Sequence, residues 1–247
     1  METETKKIIV VGILATLLLL TMLPMSVSQS EAGTWISVEP PEKIRYLGNT
    51  FQTNITVWNI SDFWSVQLNI TWTSGILNCT DDNLDQTMNA LWGINRWLAW
   101  PLTKEERINN TIGVYKVAVT AKNTTQPPYT EPFSGNATLL KLNYTAIDIG
   151  QTNINFSNIG EYKTILGNVD DEPIIHTQYN GTVEIRIPGD IVLPIGLVDA
   201  NDLQKLGKAY NSTETSSGWL ALADINDDGD VDANDLVIIS ENYGHTV

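Results

Sequence analysis

Between residues 34 and 187 the chain alternates apolar and polar side chains over short runs. In the clearest run, Val66, Leu68, Ile70 and Trp72 point one way, and Gln67, Asn69 and Thr71 point the other. A period of two marks a strand with one face buried. Residues 53–58, 114–121, 137–146, 152–156 and 182–187 repeat the pattern. Turn signals separate them, as at Gly48-Asn49 and Gly167-Asn168. Many short strands with turns between them predict a mainly β fold, an antiparallel sandwich. Residues 83–107 break the alternation, with Trp92, Trp97 and Trp100 among few β-branched residues, and read as a short helix or a long loop across one end of the sandwich. Pro188-Gly189 closes the β region. Residues 202–210 and 235–243 then place Leu and Ile at helical spacing.

The C-terminal part repeats itself. Leu197-Val198-Asp199-Ala200-Asn201-Asp202-Leu203 recurs as Asp230-Val231-Asp232-Ala233-Asn234-Asp235-Leu236, which marks paired units. The second unit opens with twelve residues from Asp224 to Asp235 that have the spacing of a calcium loop. Asp224, Asn226 and Asp228 hold positions one, three and five, and Gly229 stands at the sharp turn at six. Asp230 at seven offers its carbonyl, Asp232 at nine acts through water, and Asp235 at twelve closes the cage from the following helix. Hard oxygens in a flexible loop suit Ca²⁺ better than Mg²⁺. Counting back twelve from Asp202 in the first unit puts Ile191, Leu193 and Ile195 at one, three and five, where no side chain binds a cation. One calcium ion is therefore expected.

Net charge is −15, which argues against nucleic acid as a partner, because phosphate binding needs a basic face. Lys6 and Lys7 precede an apolar run from Ile8 to Leu23, then Pro24 and the small residues Ser26-Val27-Ser28. Residues 1–28 thus read as an export signal, either cleaved or retained as the sole membrane anchor, with the rest of the chain extracellular. Eleven asparagines begin N-x-S/T sequons: Asn54, Asn59, Asn69, Asn78, Asn109, Asn123, Asn136, Asn143, Asn155, Asn180 and Asn211. Chance would place roughly four, so the excess points to N-glycosylation at the cell surface. Cys79 is the only cysteine, so no internal disulfide forms.

The duplication and the D-x-N-x-D-G-x-V-x-x-x-D-L pattern of the second unit resemble a dockerin, a small paired calcium module that docks onto cohesin domains. The resemblance covers residues 189–244, and the apolar first loop departs from the usual two-ion form. Residues 35–187 resemble a cohesin. The carrying blocks are Ile36-Ser37-Val38-Glu39-Pro40, Gly48-Asn49-Thr50-Phe51, Ile55-Thr56-Val57-Trp58-Asn59-Ile60 and the run from Phe63 to Trp72, with Ile76-Leu77-Asn78-Cys79 and the segment from Leu139 to Ala146 after it. That likeness implies a nine-stranded jelly roll. Similar exported archaeal proteins combine such a sandwich with dockerin-like repeats.

The expected layout is a signal or anchor at 1–28, a cohesin-like β-sandwich at 31–187 and a dockerin-like domain at 189–247. Trp92, Trp97 and Trp100, with Arg96 or Asn95, are candidates for a carbohydrate platform; capping the core is the competing role. Catalysis finds no support. His176 and His245 have no catalytic motif around them, Cys79 has no evident base, and the acid pairs Asp81-Asp82, Glu105-Glu106 and Asp170-Asp171-Glu172 read as solvated loops. Asp170 and Asp171 beside Asn168 form a weaker candidate cation site. The reading is a non-catalytic extracellular calcium-binding protein of cohesin–dockerin-type assembly. Its partners are cohesin- or dockerin-bearing surface proteins or its own sandwich. The alternative is a carbohydrate-binding surface protein or an accessory of a polysaccharide-degrading complex.

Overall fold

A computed structural model describes residues 33–101, 103–122, 130–158 and 163–247. The export signal and the sequon at Asn123 lie outside the described residues. In chain order come strands β1 (Thr34–Glu39), β2 (Glu42–Tyr46), β3 (Thr50–Thr71) and β4 (Leu77–Asp82), then helix α1 (Leu84–Trp92). Strand β5 (Trp97–Trp100), helix α2 (Lys104–Arg107), β6 (Ile108–Asn109), β7 (Val114–Ala121) and β8 (Phe133–Ala146) follow. The β region ends with β9 (Gly150–Phe156), β10 (Ile165–Asn168), β11 (Pro173–Ile174), β12 (His176–Tyr179) and β13 (Gly181–Arg186). The C-terminal segment holds α3 (Ala200–Ala209), β14 (Ser212–Thr213), β15 (Asp230–Val231) and α4 (Ala233–Asn242).

The sandwich is organised around β3, which is 22 residues long. Its first half pairs antiparallel with β1 and β8, and its second half with β7 and β10. Between the halves the register with β8 shifts at Val57/Ile60 and Ile60/Phe63, and Asn59 and Asp62 adopt φ of 52° and 57°. Such bulges let one strand bend from one layer into the other. The sequence alternation reads 53–58 and 66–72 as separate strands because it is interrupted there. One layer is then β12-β1-β3-β8-β4 and the other β11-β10-β3-β7-β5. Strands β9, β13 and β2 extend from the far end of β3. In β7 every second residue from Tyr115 to Ala121 is buried, as the alternation requires. Ile36, Ile55, Leu68, Tyr115, Leu140 and Tyr144 lie in the single core between the layers.

The stretch that broke the β pattern contains α1. Leu84, Met88 and Trp92 recur every fourth residue and form its buried face. Thr87 Oγ1 donates to the Leu139 carbonyl of β8 at 2.7 Å, pinning the helix across the sheet. The overall result is the mainly β sandwich with a small helical C-terminal module that the pattern predicts.

A second core gathers Ile191, Val198, Leu206, Ala209, Ile225, Val231 and Ile239 of the C-terminal segment with Tyr46 of β2 and Ile187. Residues 33–247 therefore form one compact unit. Gly189 has φ of 97°, and a Cβ there would meet Ile239 Cγ1 at 2.8 Å, so only glycine lets the chain leave β13 against α4.

Candidate functional site

The two C-terminal units are related by an exchange of strands. Ser212 and Thr213, after α3, pair with Val231 and Asp230 at the exit of the second loop. After α4, Thr246 pairs with Leu197 at the exit of the first loop, flanked by Val198 N–H to the His245 carbonyl at 3.2 Å. Each unit thus completes the other, which is why the duplicated sequence folds as a pair.

In the second loop the chain folds around two buried carboxylates. Asp235 is fully buried. Its Oδ1 accepts from the Ile225 and Asn226 N–H groups at 2.7 and 3.3 Å, and its Oδ2 from Asp232 N–H at 2.8 Å. Asp224, also buried, accepts from Asp228 and Gly229 N–H at 3.1 and 3.0 Å. Gly229 has φ of 94° and Asp227 61°, which supplies the sharp reversal the spacing called for. Burial pushes the Asp224 carboxyl above its usual range, and the charges of Asp235 and Asp228 push the same way. Asp232 is the N-cap of α4: its Oδ1 holds Asn234 N–H at 2.7 Å, and Asp235 completes the capping box. Asn226, Asp228 and Asp230 are exposed at the mouth of the loop.

These residues suit a calcium ion in chemistry. The donors are all oxygens, buried carboxylates repel one another, and no ion pair given by the described residues involves Asp224 or Asp235. Among the described residues no three His, Cys, Asp or Glu side chains are drawn together as a ready cage. A cation therefore has to draw in the exposed Asn226 and Asp228, whose amide and carboxylate meet each other at 2.7 Å instead.

The first loop shows what the repeat count missed. Asp202 Oδ1 accepts from Ile191 and Val192 N–H at 2.8 and 2.9 Å, and its Oδ2 from Asp199 N–H, the scheme of Asp235. Asp190 Oδ2 accepts from Gly196 N–H at 2.7 Å, as Asp224 does from Gly229. Asp190, not Ile191, is thus the counterpart of Asp224, and the first loop has one extra residue between Asp190 and Gly196. Asp190-Ile191 repeats Asp224-Ile225, a signal present in the sequence but hidden by a fixed count of twelve. Positions three and five still fall on Val192 to Ile195, which carry no side-chain oxygen. The buried Arg186 donates Nη1 hydrogen bonds to the Asp190 and Ile191 carbonyls at 3.5 and 3.4 Å. Burial raises the Asp190 carboxyl while the charge of Arg186 opposes the rise. The first loop is hydrogen-bonded at its entry by a guanidinium, whereas at the second loop the Lys43 ammonium interacts with Asp227 through space.

The tryptophan platform is not assembled. Trp92 is 4% exposed and stacks on Phe63 at 5.3 Å, inside the sandwich core. Trp97 is half-buried, and its Nε1 donates to Asn89 Oδ1 at 2.9 Å. Trp100 is 63% exposed, on the opposite face of β5 from Trp97. Three residues apart on a strand means opposite faces, so these two side chains never shared a surface. With Leu98, Trp100 instead borders an open groove of about 640 Å³ on the β10-β3-β7-β5 face, together with Gln67, Thr120, Ile165 and Asp171.

Several of the remaining candidates are engaged in structural contacts. Cys79 is buried and donates to the Asp81 carbonyl at 3.7 Å, and burial pushes its thiol up to about 12. Asp82 is paired with Arg107, and Asp81 with Lys104. Glu106 caps α2 with Thr103. Asn168 Oδ1 accepts from Asp170 and Glu172 N–H, so the weaker candidate cation site at Asn168, Asp170 and Asp171 forms a hydrogen-bonded turn. His176 lies in β12, its Nδ1 2.9 Å from the Ile174 carbonyl.

No family profile matches the chain. No curated protein matches it. Among solved structures it is similar to a non-cellulosomal cohesin from the hyperthermophilic archaeon Archaeoglobus fulgidus, at 15% identity and a TM-score of 0.43, covering 62% of this chain and 91% of that one. The third ScaC cohesin of Acetivibrio cellulolyticus, solved with the ScaB dockerin, has 12% identity and a TM-score of 0.45, over 62% of this chain and 98% of that one. The seventh ScaB type I cohesin of Pseudobacteroides cellulosolvens has 9% identity and a TM-score of 0.43, over 63% and 93%.

Proposed function

We propose that this chain is a non-catalytic extracellular protein of calcium-dependent assembly, with one Ca²⁺ held by the loop from Asp224 to Asp235. The observation that carries the reading is the contrast between the two loops. Both bury a pair of aspartates, but the second lines its turn with further side-chain oxygens where the first has Val192 to Ile195, and the first is hydrogen-bonded at its entry by Arg186. A bound Ca²⁺ supplies the positive charge that Asp224, Asp228 and Asp235 lack. Asp232 and Asp235 meanwhile hold the start of α4, so the loop and the helix form one unit.

The sandwich supports the assembly part of the reading. Trp100 and Leu98 stand exposed on an open sheet face, where a partner protein gains apolar burial without rearranging the sandwich. The likeness to cohesins and dockerins implies a dockerin-bearing surface protein as that partner. The polar rim of the groove, Gln67, Thr120 and Asp171 beside one exposed tryptophan, also favours a second reading, a polysaccharide chain.

Calorimetric titration of Ca²⁺ into the chelator-treated protein tests the first part. One ion per chain is expected, and none in Asp224→Ala; two ions, or none in the parent protein, reject it. A binding screen against purified dockerin modules and against insoluble polysaccharide tests the second. Loss of dockerin binding in Trp100→Ala supports assembly, and retention on polysaccharide that Trp100→Ala abolishes supports the alternative.

A further inference from the structure

The extracellular reading makes the sequons meaningful, and the fold sorts them. Asn69 is only 5% exposed on β3, with Thr164 Oγ1 against its backbone N–H and carbonyl, both at 3.4 Å. A glycan of several sugars cannot be accommodated there with the strand in place. Five others are exposed: Asn59, Asn109, Asn136, Asn180 and Asn211. All sit where regular structure bends or ends. Asn59 and Asn211 have φ of 52° and 61°. Asn109 ends β6, Asn136 faces the β3 bulge and Asn180 joins β12 to β13.

Three of these side chains are held in the same way. Asn136 Oδ1 accepts from Asn59 N–H at 2.7 Å, Asn180 Oδ1 from Phe156 N–H at 3.0 Å and Asn109 Oδ1 from Thr111 N–H at 3.1 Å. In these three the oxygen is engaged by the backbone and the residue is exposed; Asn59 differs, its Nδ2 donating to the Gly33 carbonyl at 3.3 Å, and a glycosylated Nδ2 keeps one N–H for that bond. That nitrogen is the atom an N-linked sugar needs.

We infer that Asn59, Asn109, Asn136, Asn180 and Asn211 carry N-linked glycans in the folded protein, while Asn69 stays bare. The bond formed joins Asn Nδ2 to the anomeric carbon of a sugar delivered as a phosphate-linked donor. The anomeric C–O bond to phosphate breaks, the phosphate leaves with the electron pair, and the Nδ2 proton passes to a base of the transferase. None of the five asparagines lines the groove bordered by Leu98 and Trp100.

The test is glycopeptide mass spectrometry of the full-length protein isolated from its native cells, with the cell fraction recorded. The expected result is a sugar mass on the five exposed asparagines and an unmodified Asn69 peptide. A modified Asn69, or bare peptides for most of the five, overturns the inference. If the bare protein is recovered outside the cell, only this inference falls. If it is recovered in the cytoplasm, the extracellular reading falls with it. In Asn136→Gln the intact mass is expected to drop by one glycan; an unchanged glycan mass counts against Asn136.

Discussion

The Tyr46 hydroxyl, at the end of β2, donates to the Leu222 carbonyl two residues before the loop from Asp224 to Asp235, at 2.6 Å. Three residues along, Asn49 Nδ2 reaches the Ile225 carbonyl inside the loop at 3.4 Å. The sandwich rim therefore grips the loop from its entry, and the proposed metal loop and the sandwich share one packed boundary.

Burial holds the Tyr46 hydroxyl well above the usual tyrosine range. For a group whose folded pKa is raised, its contribution is complete below the unfolded pKa of about 10 and is lost as pH rises beyond it. Tyr46→Phe is expected to cost about 1 kcal/mol near neutral pH. It is also expected to flatten the loss of stability above about pH 10 seen in the parent. Urea unfolding at neutral and alkaline pH measures both, and an unchanged alkaline slope contradicts the assignment.

The loops respond differently to substitution. Asp224→Ala and Asp235→Ala are expected to abolish the gain of helical circular dichroism on adding Ca²⁺. Asp199→Ala removes only the N-cap of α3, at about 1 kcal/mol, and leaves the calcium response intact. Equal loss from all three variants is incompatible with a single metal loop.

Arg107 meets Asp82 through two bonds, Nε to Oδ2 at 2.8 Å and Nη2 to Oδ1 at 3.1 Å, with both side chains buried. Removing one partner strands the other charge in the interior. Arg107→Ala is expected to cost about 3–5 kcal/mol in chemical unfolding. Lys104→Ala, which breaks a solvated pair to Asp81, is the control with little change. If the two variants behave alike, the buried pair is not structural.

Cys79 is expected to resist thiol reagents at pH 7–8 in the folded protein, because the thiolate is the reactive form and burial pushes the thiol up to about 12. One equivalent should react after denaturation. Labelling in the native state at the denatured rate shows that β4 opens locally.

Much of this was legible along the chain, in unequal degrees. Strand β7 spans residues 114–121, as its alternation predicts, because a sheet with one wet face must alternate. Helix α1 is encoded by the spacing of Leu84, Met88 and Trp92, but composition alone leaves residues 83–107 open between a short helix and a long loop. Trp92 serves the core because the helix turns it onto Phe63, a partner 29 positions upstream that no local pattern reveals. The six candidate ligands between Asp224 and Asp235 are legible in one twelve-residue run, but the fold gives Asp232 to the helix cap and leaves Asn226 and Asp228 at the mouth.

By itself, the sequence determined what depends on neighbours in the chain: the strand alternation, the turns, the helical spacing of the C-terminal units and the oxygen-rich loop. These are local choices of backbone geometry and side-chain polarity. Only the tertiary structure decided what depends on distant segments meeting. It set Asp190 opposite Gly196 as the true start of the first loop, exchanged strands between the two units, and seated the loop on Tyr46. The physical reason is that a buried carboxylate or hydroxyl must find its hydrogen-bond partner wherever the fold brings one, and a repeat counted along the chain contains no record of that meeting.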